Sequence, residues 1–86
     1  PDPPQEEHVA AHFRVRCERV CGRYDLSPRE AEIFTLLAKG RNAKFIQEEL
    51  CISSSTVKTH IYRIYRKMGI NSQQLLIDTV DDEAIR

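Results

Sequence analysis

The chain carries no net charge, because thirteen Lys and Arg balance thirteen Asp and Glu over 86 residues. That balance excludes a polyanion binder that works through bulk positive charge. Long apolar runs are absent too, so no segment is suited to crossing a bilayer. No signal-peptide pattern opens the sequence, although it starts at Pro1 without an initiator Met and reads as a piece of something longer. Cysteine is scarce and odd in number: Cys17, Cys21 and Cys51 have no framework spacing, which excludes a disulfide scaffold and fits a reducing compartment, with cytoplasm expected. Strand alternation, internal repeats and low-complexity tracts are missing as well. His60 has neither a third orienting group nor a Gly-rich nucleophile turn to act with, so no catalytic residue and no enzyme is expected. His8 and His12 with Cys17 and Cys21 are zinc-ligand types, but on one helix the two pairs point to nearly opposite sides, and no metal or cofactor is expected.

Helical signals fill the chain instead. After the Pro1-Asp2-Pro3-Pro4 tail, Val9, Phe13, Cys17, Val20 and Tyr24 recur at spacings of four, four, three and four, which predicts an amphipathic helix over about Gln5 to Gly22, with Gly22 as its cap. Ser27-Pro28-Arg29-Glu30 combines a capping Ser, a first-turn Pro and a Glu three residues on, and so starts a helix to Lys39 with Ile33, Leu36 and Leu37 inward and Gly40 as the stop. A short helix over Ala43 to Leu50 offers Phe45, Ile46 and Leu50 to the core. Ser53-Ser54-Ser55-Thr56 announces a longer one to Met68, ended by Gly69. Asn71 or Ser72 caps a last helix bearing Leu75, Leu76, Ile77 and Val80, followed by the acidic Asp81, Asp82 and Glu83. Cys51, in the turn before the long helix, reads as a small core residue.

The charge is unevenly spread. Residues 39 to 68 hold seven cations (Lys39, Arg41, Lys44, Lys58, Arg63, Arg66 and Lys67) against Glu48 and Glu49 alone, while both flanks are net negative. Within the long helix, Val57, Ile61, Ile64 and Met68 follow spacings of four, three and four and form one inward stripe. At about 100° per residue, Ser55, Lys58, Thr59, Tyr62, Arg63 and Arg66 share the opposite sector. A basic, hydroxylic and aromatic face on a helix can bond phosphates and base edges in a DNA major groove. With the short helix and tight turn before it, this makes a helix-turn-helix whose Thr56, Lys58, Thr59 and Tyr62 reach deepest, and whose Arg63, Arg66 and Lys67 suit phosphates. Tyr62 is expected exposed, Tyr65 partly buried and His60 on the border between faces. Leu75, Leu76 and Val80 either finish the core or, being more apolar positions than a small monomer needs there, leave a stripe for a two-fold partner, which is the reading preferred.

Leu26-Ser27-Pro28-Arg29-Glu30, Leu37-Ala38-Lys39-Gly40, Ile52-Ser53-Ser54-Ser55-Thr56-Val57-Lys58-Thr59-His60-Ile61 and Lys67-Met68-Gly69-Ile70 together resemble the LuxR-type (GerE-like) DNA-binding domain of bacterial transcription regulators. The likeness runs from about Leu26 to Val80. It implies an all-α, four-helix domain in which the third helix, about 54–68, reads the major groove and the fourth pairs with its mate; the N-terminal helix is additional. It further implies DNA contacts at Lys44, Thr56, Val57, Lys58 and His60, and a sensor or receiver domain upstream. Where the family usually has Ser-Asn, this chain has Asn42-Ala43, so one polar contact to the backbone is expected to be missing or shifted to Asn42. Gln47 stands where a small residue usually lets the two motif helices approach, so a locally altered crossing is expected.

These readings divide the chain into a tail and linker helix, 1–25, and a DNA-binding domain, 26–86. The expected partners are double-stranded promoter DNA, a second copy on that DNA through Leu75, Leu76, Thr79 and Val80, and RNA polymerase. The alternative is a protein-interaction module, either sigma-region-four-like or a degenerate helix-turn-helix, with little DNA binding of its own.

Overall fold

The computed structural model describes residues 5–83, with side chains described from Ala11 onward. The Pro1–Pro4 tail, residues 84–86 and the side chains of His8 and Val9 lie outside the described residues. Those that are described form helices and turns: α1 (Gln5–Arg23), α2 (Pro28–Ala38), α3 (Ala43–Leu50), α4 (Ser54–Met68) and α5 (Gln73–Asp81). None of these helices is long and apolar enough to cross a membrane. The four-helix domain with an extra N-terminal helix is thus the architecture observed.

The starts of α2 to α5 each have a local cause. Ser27 Oγ accepts the Glu30 N–H at 3.2 Å while the Glu30 carboxylate accepts the Ser27 N–H at 2.9 Å, completing the capping box. Asn42, Ser53 and Ser72 cap α3, α4 and α5 by accepting from Phe45, Thr56 and Leu75 N–H groups. Four of the five ends share one device. Asp25, Gly40, Cys51 and Gly69 take left-handed backbone, with φ of 54°, 87°, 54° and 69°. The next residue in each case returns a bond across the last turn: Leu26 N–H to Cys21 O, Arg41 to Leu36, Ile52 to Gln47 and Ile70 to Tyr65. This Schellman closure satisfies carbonyls that a helix end leaves open. Gly22, expected to cap α1, lies inside that helix, and Asp25 three residues later makes the reversal, as Asp tolerates the left-handed region better than most residues.

The core runs through all five helices. Cys17, Val20 and Cys21 of α1, Ile33, Phe34 and Leu37 of α2, Ile46 of α3, Val57, Ile64 and Met68 of α4, and Leu76 and Val80 of α5 form one buried cluster. Helix α2 is its centre and packs against α1, α4 and α5, while α3 packs on α4 and α1 on α5. Two expectations fail here. Cys51 is exposed, because its left-handed position at the corner turns it out of the core. Leu76 and Val80 are fully covered within the chain, so they are not available to a partner; α1 and α2 together enclose α5. The added helix therefore buries apolar surface that the sequence reading assigned to a second copy.

Candidate nucleic-acid interface

Helices α3 and α4 meet through the corner at Cys51-Ile52-Ser53, and Ile46, Val57, Ile64 and Met68 lock α4 down by its inner stripe. Fixing that stripe fixes the opposite one. Ser55, Thr56, Lys58, Thr59, Tyr62, Arg63 and Arg66 are all exposed, and Tyr62 is 63% accessible. Helix α4 contains no acidic residue, and Lys58, Arg63 and Arg66 make no ion pair among the described residues. Their positive charge therefore faces solvent uncompensated, the condition under which cations displace counterions from a phosphate backbone.

The leading end of α4 is organised by hydroxyls. Ser53 Oγ donates to Thr56 Oγ1 at 2.8 Å and lies 3.2 Å from Ser55 Oγ, which orients three small polar groups beside the positive end of the helix dipole. Ser55, Thr56, Thr59, His60 and Arg63 line a shallow recess of about 200 Å³ next to them. His60 is half-buried on the border, and its Nδ1 is enclosed without a hydrogen-bond partner among the described residues. On α3 and its approach, Lys44 is exposed, and Arg41 stacks its guanidinium 4.6 Å from the centre of the Phe45 ring. Asn42 is exposed as well, but its Oδ1 is engaged in capping α3, 2.8 Å from the Phe45 nitrogen.

Two expected contact residues are placed elsewhere. Val57 has no accessible surface and packs in the core, so its side chain cannot touch DNA; the inward stripe prevails over the position implied by resemblance. Lys67 is turned back onto the fold. Its Nζ donates to Glu30 Oε1 at 2.7 Å and to the Asp25 carbonyl at 3.2 Å, tying the end of α4 to the start of α2. Glu30 is only 4% accessible, and burial alone would raise its pKa. The Lys67 ammonium and the Ser27 N–H outweigh that burial and hold the carboxyl below its ordinary range.

On α5 the expected pairing stripe narrows. Leu75 is 43% accessible, and Thr79 is half-buried with its hydroxyl donating to the Leu75 carbonyl at 2.8 Å. Sequence reasoning overlooked Gln73, whose amide donates to the Leu37 and Arg41 carbonyls at 3.0 and 2.9 Å and so braces the corner between α2 and α3. No local pattern could have revealed it, since its partners lie more than thirty residues upstream. Cys17 and Cys21 are interior thiols, pushed by burial up to about 11 and about 12.

The family model described as "Bacterial regulatory proteins, luxR family" matches residues 25–80. The probable transcriptional regulatory protein NarL of Mycobacterium tuberculosis strain H37Rv is 42% identical over 48 residues, covering 56% of this chain and 22% of that protein. LiaR, a transcriptional regulatory protein of Bacillus subtilis strain 168, is 38% identical over 65 residues, covering 76% and 31%. The uncharacterized response regulatory protein YgeK of Escherichia coli K12 is 39% identical over 67 residues, covering 73% and 46%. The chain thus spans less than half the length of each of these curated relatives. No solved structure matches it.

Proposed function

From a chain that belongs to the luxR family of bacterial regulatory proteins, we infer a sequence-specific reader of double-stranded promoter DNA that places α4 in the major groove. The family is one of DNA-binding transcription regulators rather than of enzymes, and the finer assignments rest on side-chain placement. The observation that carries them is the acid-free, uncompensated outer face of α4 behind a hydroxyl-lined N-terminus. Thr56, Lys58, Thr59 and Tyr62 read base edges, because the leading half of such a helix lies deepest in the groove. Lys44, Arg63 and Arg66 hold phosphates, with the Asn42 amide and His60 at the margin.

Two copies occupy half-sites about one helical turn apart. Their pairing edge is Leu75 with Thr79, too narrow for a stable dimer in free solution, so DNA assembles the pair. RNA polymerase and a sensor or receiver portion of a longer protein complete the proposed setting. The test is an anisotropy titration with the upstream promoter duplex and a scrambled duplex at several salt concentrations. A preference of about tenfold or more for the promoter, with log affinity falling as salt rises, is expected. Lys58→Ala should lower the specific affinity by about 1–3 kcal/mol. Equal weak binding to both duplexes defeats this reading and favours a protein-interaction module.

A further inference from the structure

On the side of α2 where α1 packs lies an open groove of about 570 Å³. Cys17, Cys21, Leu36 and Leu50 contribute its apolar floor. Both thiols stay protonated near neutral pH, so the floor is uncharged as well as apolar. The volume suits a few large apolar side chains, and the opening is a trough between helices rather than a closed cavity. Around it stand Glu18 from α1, Glu32 from α2 and Glu49 from α3, one exposed carboxylate from each of three helices. Glu32 shares its charge with Arg29 at 3.0 Å, and Arg14 stands at the edge; Glu18 and Glu49 make no ion pair among the described residues.

We propose that this groove docks a basic amphipathic helix of a partner protein, its apolar side chains on the floor shared by α1, α2 and α3 and its Lys or Arg among Glu18, Glu32 and Glu49. Charge complementarity selects that occupant. An acidic rim repels nucleic acid and anionic lipid surfaces, and a helix with apolar residues on one face and cations beside them satisfies floor and rim together. The groove takes no residue from α4. A partner held there leaves the outer face of α4 uncovered, so it would ride on the domain without competing for DNA.

The experiment titrates the isotope-labelled 86-residue chain with a synthetic helical peptide of Leu on one face and Lys on the other, and with its Glu-for-Lys counterpart. Saturable amide shifts at Cys17, Cys21, Thr35, Leu36 and Leu50, with none along Ser55–Arg66 and none from the Glu peptide, are expected. The triple variant Glu18→Gln, Glu32→Gln, Glu49→Gln, confirmed folded by its melting curve, should weaken that binding about tenfold while still binding the promoter duplex. Equal binding by both peptides, shifts spread over the acidic α5 end, or unchanged affinity in the folded triple variant would overturn the proposal. So would groove shifts that appear on concentrating the protein alone, which would assign the surface to a second copy. Promoter binding is read separately, so loss of either reading leaves the other standing.

Discussion

Helices α1 and α4 each carry four basic residues, Arg14, Arg16, Arg19 and Arg23 on one and Lys58, Arg63, Arg66 and Lys67 on the other, yet their surfaces differ. On α1 Glu18 stands between Arg16 and Arg19, Arg23 pairs with Glu83, and the Arg16 Nε is enclosed without a partner among the described residues. On α4 there is no acid, and the one cation with an acidic partner, Lys67, sits at the end of the helix. The number of cations on a helix thus says little about what it binds. What matters is whether counter-charges lie within reach and whether the inner stripe holds the cations facing outward. Helix α1 uses its length to enclose α5 and α2, whereas α4 keeps one face open to solvent.

The hardest blow to this contrast is removal of α1. A chain starting at Leu26 exposes the surface covered by Cys17, Val20 and Cys21, and we expect a loss of about 5 kcal/mol, a large share of a small domain's stability. Urea denaturation measures it; undiminished stability would mean that α1 is a mere linker, as the division at residue 25 supposes. Lys67→Met comes next. Leaving the buried Glu30 without its ammonium should cost about 1–3 kcal/mol, discounted because Lys67 is itself half-exposed. The depressed Glu30 pKa gives the sign with pH: the stabilisation is complete above the ordinary carboxylate range and disappears as pH falls through the folded-state value. Urea midpoints measured across acidic pH should show that dependence in the native chain and a flatter one in Lys67→Met.

Smaller effects refine the comparison. Cys51→Gly removes the cost of left-handed backbone at a residue with a Cβ and should stabilise by about 0.5–1 kcal/mol, seen as a raised melting temperature. A lowered one would mean that the exposed thiol contributes more than its backbone costs. Finally, Arg66→Ala should reduce the salt dependence of DNA affinity by about one phosphate equivalent, while Arg14→Ala leaves that slope unchanged. Equal slopes in the two variants would erase the distinction between the helices.

Much of this was legible because its causes are local. The capping box at Ser27 and Glu30, the run Ser53 to Thr56 and the stripe from Val57 to Met68 act within one or two turns, and α3 and α4 end where their sequences say. Tyr62 is exposed and Tyr65 half-buried, as helical periodicity alone places them. The misreadings arose where distant residues decide. Lys67 looked like another phosphate ligand because Glu30 lies 37 residues away in sequence. Leu76 and Val80 looked surplus because their cover comes from helices much earlier in the chain. Residue type alone places Cys51 in the core, whereas the corner's backbone decides its direction.

Those corners have a mechanical consequence. At three of them the left-handed residue is followed two positions later by the next capping side chain: Asp25 by Ser27, Gly40 by Asn42, Cys51 by Ser53. Joints so short, bonded on both sides, leave no slack for one helix to swing against the next. The first four helices are therefore held in one fixed relation, so the direction in which α4 presents its outer face is set by the corners upstream of it as much as by its own packing.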